Sequence, residues 1–167
     1  MGNPQERILD MRDTDLAWLA GIWDGEGSIT MFSHTEKNGS TKLCPTCLVV
    51  NTDIAIINKV RKLLEELGCN FVIHEHKPKN ERHKVQWRVT SRNTKYIVLL
   101  LEAIEPYLIG EKKSKAQILL SYCNQRIAKM NRIPSKGSTP YDEEDFKYLA
   151  KFRSSQTTRE TSFEDDI

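Results

Sequence analysis

The stretch LAWLAGIWDGEGSI, residues 16–29, decides how the rest of the chain is read. A run of small and apolar residues ends on two acids, Asp24 and Glu26, set among glycines. Ahead of it, Asp13-Thr14-Asp15 offers capping oxygens and first-turn negative charge, so the spacing predicts a helix from near Thr14 to the Gly25/Gly27 pair. On that helix Ala17, Gly21 and Gly25 recur every four residues and share a face, with Ala20 read beside them. Small side chains at this spacing let a second helix come close. The pattern has no second copy in the chain, so a like partner comes from a second molecule and implies a twofold dimer.

The acids then gain a role. They lie at the negative end of the helix, where an anion is disfavoured by a few tenths to about 1 kcal/mol. In a dimer the two Glu26 side chains approach each other, and close like charges demand a proton or a cation. Carboxylate oxygens suit Mg²⁺ together with substrate phosphates, and such a metal stabilises both the attacking water and the leaving oxygen at a phosphodiester. The plainer reading makes Asp24 and Glu26 turn residues that end a core helix.

The 167 residues fit one domain, taken as 1–153 with a polar tail over 154–167. No apolar run is long enough to span a bilayer, and MGNPQERILDMRD lacks a secretory pattern. The expectation is a soluble intracellular protein of cytoplasm, nucleoid or organelle matrix, with reduced thiols. Cys44 and Cys47 have metal-ligand spacing but lack a regular second pair, so they are read as strand thiols rather than zinc ligands. Residues 141–167 carry eight acids against four bases, a balance of −4, which leaves +6 of the chain's +2 to residues 1–140. Residues 111–136 hold Lys112, Lys113, Lys115, Arg126, Lys129, Arg132 and Lys136 against Glu111 alone, which favours a polyanion.

Two β-rich runs, SITMFSH and KLCPTCLVVNT, flank a loop with the turn signal Asn38-Gly39. Asp53 caps a helix with apolar residues at Ile56, Ile57, Val60, Leu63, Leu64 and Leu67, closed by Gly68. A second hairpin, NFVIHEHK with KVQWRVTS, precedes a helix capped by Asn93 or Thr94 and stopped at Pro106. Helices over KKSKAQILLSYCNQRIAK and EEDFKYLAKF complete an α+β chain of order α-β-β-α-β-β-α with C-terminal additions, its helices on one sheet face. The other face is left open. By alternation it presents Ser28, Thr30, Phe32 and His34, then Gln86, Arg88 and Thr90, with Lys42, His74, His76, Lys77 and Lys79 more loosely placed. Gln86 and Arg88 suit bidentate purine contacts, whereas lysines position phosphates, a role also fitting Lys129, Arg132, Ser135 and Lys136.

LAGIWDGEG, residues 19–27, resembles the signature of the LAGLIDADG homing endonucleases, seven of nine positions being identical or conservative. VVNTDIAIINKVRKLLEELG (49–68) and PYLIGEKKSKAQILL (106–120) resemble later segments of that family, in the right order. The resemblance implies a saddle-like antiparallel sheet and an intron-encoded homodimer that makes a double-strand break in a long pseudo-palindromic DNA site. The metal implied is Mg²⁺, with Mn²⁺ as substitute. It places the metal ligand at Glu26, assisted by the carbonyl of Gly25, and gives Asp24 a structural role at the helix end. The basic residue near the cleaved phosphate falls on Lys112, with Lys113 as alternative. The family's polar residue at the end of the second strand falls on Thr52, with Asn51 adjacent. A non-cleaving relative, an RNA-splicing maturase contacting intron RNA or a DNA-binding protein, is the competing reading.

Overall fold

The computed structural model describes residues 4–80, 82–132 and 139–155. Helix α1 (Pro4–Asp10) precedes α2 (Asp13–Glu26), the hairpin β1 (Gly27–Thr35) and β2 (Thr41–Asn51), and α3 (Ile54–Glu66). The second hairpin, β3 (Val72–His76) and β4 (Gln86–Ser91), leads to α4 (Thr94–Ile104), a 3₁₀ turn at Glu105–Tyr107, α5 (Gly110–Arg132) and α6 (Glu143–Ser154). The expected α+β order is thus present, with α1 as an addition that the sequence reading missed. The strand order is β1-β2-β4-β3, antiparallel throughout.

Local chemistry accounts for most boundaries. Asp53 caps α3 by accepting the N–H of Ala55, Asn93 caps α4 through the N–H groups of Lys95 and Tyr96, and Gly68 ends α3 at φ 80°. Helix α2 starts differently from expectation: Arg12 stands at its N-cap without a side-chain cap bond and pairs instead with Asp15. Pro45 lies within β2 opposite Met31, in the part of β2 that β4 does not reach, so its missing N–H leaves the β2–β4 ladder intact.

Alternation divides the sheet cleanly. Ile29 and Met31 of β1, Leu43, Cys47 and Val49 of β2 and Val89 of β4 point into a core shared with all of α2–α6. Helix α2 contributes Leu16, Leu19, Ala20 and Trp23, at the i, i+3, i+4, i+7 spacing of one face. Ala20 therefore belongs to the core, fully buried, and not to the small-residue stripe to which the sequence had assigned it. Ala17, Gly21 and Gly25 do lie exposed on the opposite side, and a Cβ added at Gly21 or Gly25 would meet nothing within 4 Å. Gly27 is different. A Cβ there would sit 2.6 Å from the Cα of the buried Trp23, so the turn from α2 into β1 requires glycine for space.

Candidate nucleic-acid interface and catalytic corner

The even-numbered residues of the strands form the open face, and their register puts them in rows. Ser28, Leu48, Thr90 and Val72 make one row across all four strands, while Val50, Arg88 and His74 make the next. Gln86 pairs with His76, Thr30 with Thr46, Phe32 with Cys44 and His34 with Lys42. The sequence-chosen strand residues Ser28, Thr30, Phe32, His34, Gln86, Arg88, Thr90, His74, His76 and Lys42 thus share one face. Lys77 and Lys79 lie exposed just beyond β3.

Sequence reading missed the middle of that face. Cys44, Thr46, Leu48 and Val50 of β2, with Val72 of β3, sat in apolar runs that read equally well as buried strand. Leu48 and Val50 are half-buried and Val72 is exposed. Arg92, also unforeseen, follows β4 and lies over the Phe32 ring at 5.4 Å. The hydroxyl of Thr46, nearly enclosed in the hollow that it forms with Leu48, Val72, Arg88 and Arg92, has no hydrogen-bond partner among the described residues. Lys42 is not a free cation: its ammonium pairs with Glu36 at 2.6 Å, which raises the Lys42 pKa and lowers that of Glu36.

At one end of this face stands the corner where α2 meets β1. Lys112, from the start of α5, donates to the carbonyls of Trp23 (2.7 Å) and Asp24 (2.6 Å), so it caps the C-terminus of α2 with a cation. Burial, the largest influence, pushes the Lys112 pKa below the ordinary lysine value although Asp24, Glu111 and Glu26 pull it upward. Asp24 accepts the N–H of Ile109 at 3.3 Å, which fastens the turn before α5 to the helix end. Glu26 is exposed and makes no side-chain hydrogen bond or ion pair among the described residues. Gly27 pairs with Val49, and β2 continues past it to Asn51, with Thr52 next in the chain. Asn51 accepts the N–H of Asp53 at 2.8 Å, and Thr52 is exposed. Lys113, the alternative to Lys112, reaches the Pro106 carbonyl at 3.5 Å.

The oxygen donors of this corner fit a hard divalent cation, yet one chain supplies few of them. Among the described residues, no three His, Cys, Asp or Glu side chains are grouped to hold a metal. Zinc at Cys44 and Cys47 is excluded by parity, since the two thiols point to opposite faces of β2. The buried thiols are poor ligands as well, because burial pushes Cys69 and Cys123 up to about 12.

The basic run over α5 dissolves in the fold. Arg126 is buried against Asp145 at 3.3 Å, donates to the carbonyls of Thr139 and Pro140, and lies 3.9 Å over the Tyr141 ring. Lys129 pairs with Asp142, Glu144 and Asp145, and Lys115 with Glu111. Lys129 is therefore not available to phosphates. Lys136 and Ser135 lie outside the described residues, as does the tail from residue 156.

Known structures share this fold. The chain superposes on the group I intron-encoded homing endonuclease I-CeuI complexed with DNA, with TM-score 0.63 and 15% identity over 96% of this chain and 80% of that one. The homing endonuclease I-CvuI, in complex with the I-CreI target in 2 mM Mg, matches at TM-score 0.53 and 19% identity over 84% of this chain and 95% of that one. A double mutant of I-SmaMI matches at TM-score 0.57 and 17% identity, covering 92% of this chain but 47% of that one. The fold is that of the homing endonucleases. Residues 13–105 match the LAGLIDADG-like domain, and the chain belongs to the LAGLIDADG family. No curated protein sequence matches it. Among the described residues, no helix is long and apolar enough to cross a membrane.

Proposed function

We propose that two copies of this chain form a site-specific, divalent-metal-dependent DNA endonuclease of the homing type, encoded within an intron, that makes a double-strand break in a long pseudo-palindromic duplex. The carrying observation is the corner at α2. There the fold ties the Asp24 carboxylate to the Ile109 N–H and Lys112 to the Trp23 and Asp24 carbonyls, and leaves the Glu26 carboxylate without a side-chain partner among the described residues, beside the open sheet. Symmetry supplies what one chain lacks. Docking the stripe of Ala17, Gly21 and Gly25 against its own copy sets two Glu26 side chains near the twofold axis.

In this reading Glu26 and the Gly25 carbonyl would hold Mg²⁺ or Mn²⁺, which when bound would supply Lewis-acid stabilisation of the scissile phosphate and a more acidic water. Lys112 holds the helix end in place and puts a cation beside the phosphate. Asn51 and Thr52 border the water's approach. Asp24 holds the turn. The open face of Ser28, Thr30, Phe32, His34, Gln86, Arg88, Thr90, His74 and His76 lies in the major groove and reads bases, with Lys77 and Lys113 toward the backbone.

The test is selection of cut duplexes from a randomised pool with Mg²⁺, for wild type and Glu26→Gln, with sedimentation of both. Cleavage by a wild-type dimer and binding without cleavage by Glu26→Gln are expected. Binding without cleavage by wild type would favour the non-cleaving DNA-binding reading, and a monomer that cuts would overturn the shared metal site.

A further inference from the structure

The sheet is not equally supported along its length. Strand β4 pairs with β2 only over Cys47–Asn51, so the outer part, Thr30–Thr35 of β1 with Thr41–Thr46 of β2, is a two-stranded ribbon. An isolated two-stranded hairpin is at best marginally stable in water. The ribbon nonetheless carries Phe32, His34, Lys42 and Cys44 on the open face. Its tip is also far from the corner: eight residues of strand from Glu26 to His34 span roughly 26 Å, about the length of seven or eight base pairs.

Helix α6 lies under the ribbon, next to α5, which also packs on β1. Met31 and Leu43 on the ribbon's inner side share the core with Leu149 and Phe152 of α6, which packs on both strands. Tyr141, just ahead of α6, donates its hydroxyl to the Leu43 carbonyl at 3.4 Å, and Arg153 reaches the Ser33 hydroxyl at 3.5 Å. Helix α6 is in turn fastened to α5 by the cluster described above. Asp145 is fully buried and takes Arg126 and Lys129, while Asp142 caps the helix and pairs with Lys129.

We infer that α6 is a positioning element for base reading, and that the Arg126–Asp145–Lys129 lock fixes the ribbon so that the base pairs farthest from the cut are discriminated. The lock touches no DNA in this scheme. It acts through the ribbon's inner face, holding Phe32 and His34 at a fixed height above the groove. The inner base pairs are read from the four-stranded part of the sheet, which α6 does not need to support. The inference rests on the proposed reading that the open face lies against duplex DNA.

Asp145→Asn weakens the buried pair, and Lys129→Ala removes only the partly exposed cation, so the milder variant keeps a folded protein in hand. Two measurements are made on each full-length variant and on wild type. Amide exchange is expected to rise over residues 30–35 and 41–46 while β4 stays protected. Binding to a randomised duplex pool is expected to lose outer-position discrimination, from about fivefold or more per wrong base pair toward unity. Inner-position discrimination and the single-turnover cleavage rate at saturating protein are expected to hold. Ribbon exchange and outer discrimination both unchanged, or inner and outer discrimination falling together, would overturn the inference. If wild type binds no duplex, the DNA reading fails instead, and the exchange data alone decide whether the lock holds the ribbon.

Discussion

Two charged clusters, the α2 corner and the α5–α6 lock, are built from similar side chains and do opposite things. In the lock every described cation meets an acid: Arg126 and Lys129 share Asp145, and Lys129 also takes Asp142 and Glu144. At the corner one cation, Lys112, satisfies backbone carbonyls, and Glu26 remains without a fixed partner. A charge that the fold leaves over is available to metal and substrate, whereas a charge that the fold consumes holds elements together. In the sequence the lock's basic run reads as a patch that favours a polyanion, whereas the fold pairs Arg126 and Lys129 with acids.

The largest effect that tests this contrast is Glu26→Gln. If the corner's charge is spare for metal, cleavage should fall about a thousandfold or more, because metal assistance is worth several kcal/mol and each 1.4 kcal/mol is roughly tenfold. Stability should stay within about 0.5 kcal/mol, as for other exposed positions, so urea unfolding of the same variant separates the two outcomes. The mirror image is Asp145→Ala. It strands the Arg126 guanidinium at 6% exposure and should cost about 3–5 kcal/mol of unfolding free energy. An equal loss of stability in both variants would erase the distinction.

Gly27→Ala sharpens the contrast from the backbone side. Its Cβ would run into the Trp23 backbone, which is itself held by the core, and overpacking of this kind costs about 1–3 kcal/mol by thermal or urea unfolding. The same substitution at exposed Gly21 should leave the fold intact. A smaller effect concerns Lys112. Its folded pKa lies below 10.5, so the unfolded chain binds more protons between the two values and stability should rise with pH through that window. Lys112→Met should flatten that slope, as read from urea midpoints across alkaline pH.

How much of this was legible beforehand follows from the kind of signal involved. The open-face residues of β1 and β4 came directly from alternation, because polar and apolar residues take turns there. Those of β2 did not, since Cys44, Thr46, Leu48 and Val50 alternate with residues nearly as apolar. Ala20 was misplaced because an alanine suits either side of a helix, and only the packing of Leu16, Leu19 and Trp23 shows which side faces inward. Helix α1 offers seven residues, too few to reveal a period. The pairing of Arg126 and Lys129 was invisible because their acids arrive from beyond the next loop, and sequence spacing carries no record of that return.

The parity of β1 and β2 also bears on how such a protein can change. Even positions face outward and odd positions hold the core, so a substitution at Phe32, Thr46 or Leu48 alters the outer surface without removing a core contact. An insertion of one residue would do the reverse and turn the core side of the strand outward. Under the proposed function, new target preferences would be reachable by point changes at fixed positions, while the Glu26 corner at the end of α2 would pass unchanged from one specificity to the next.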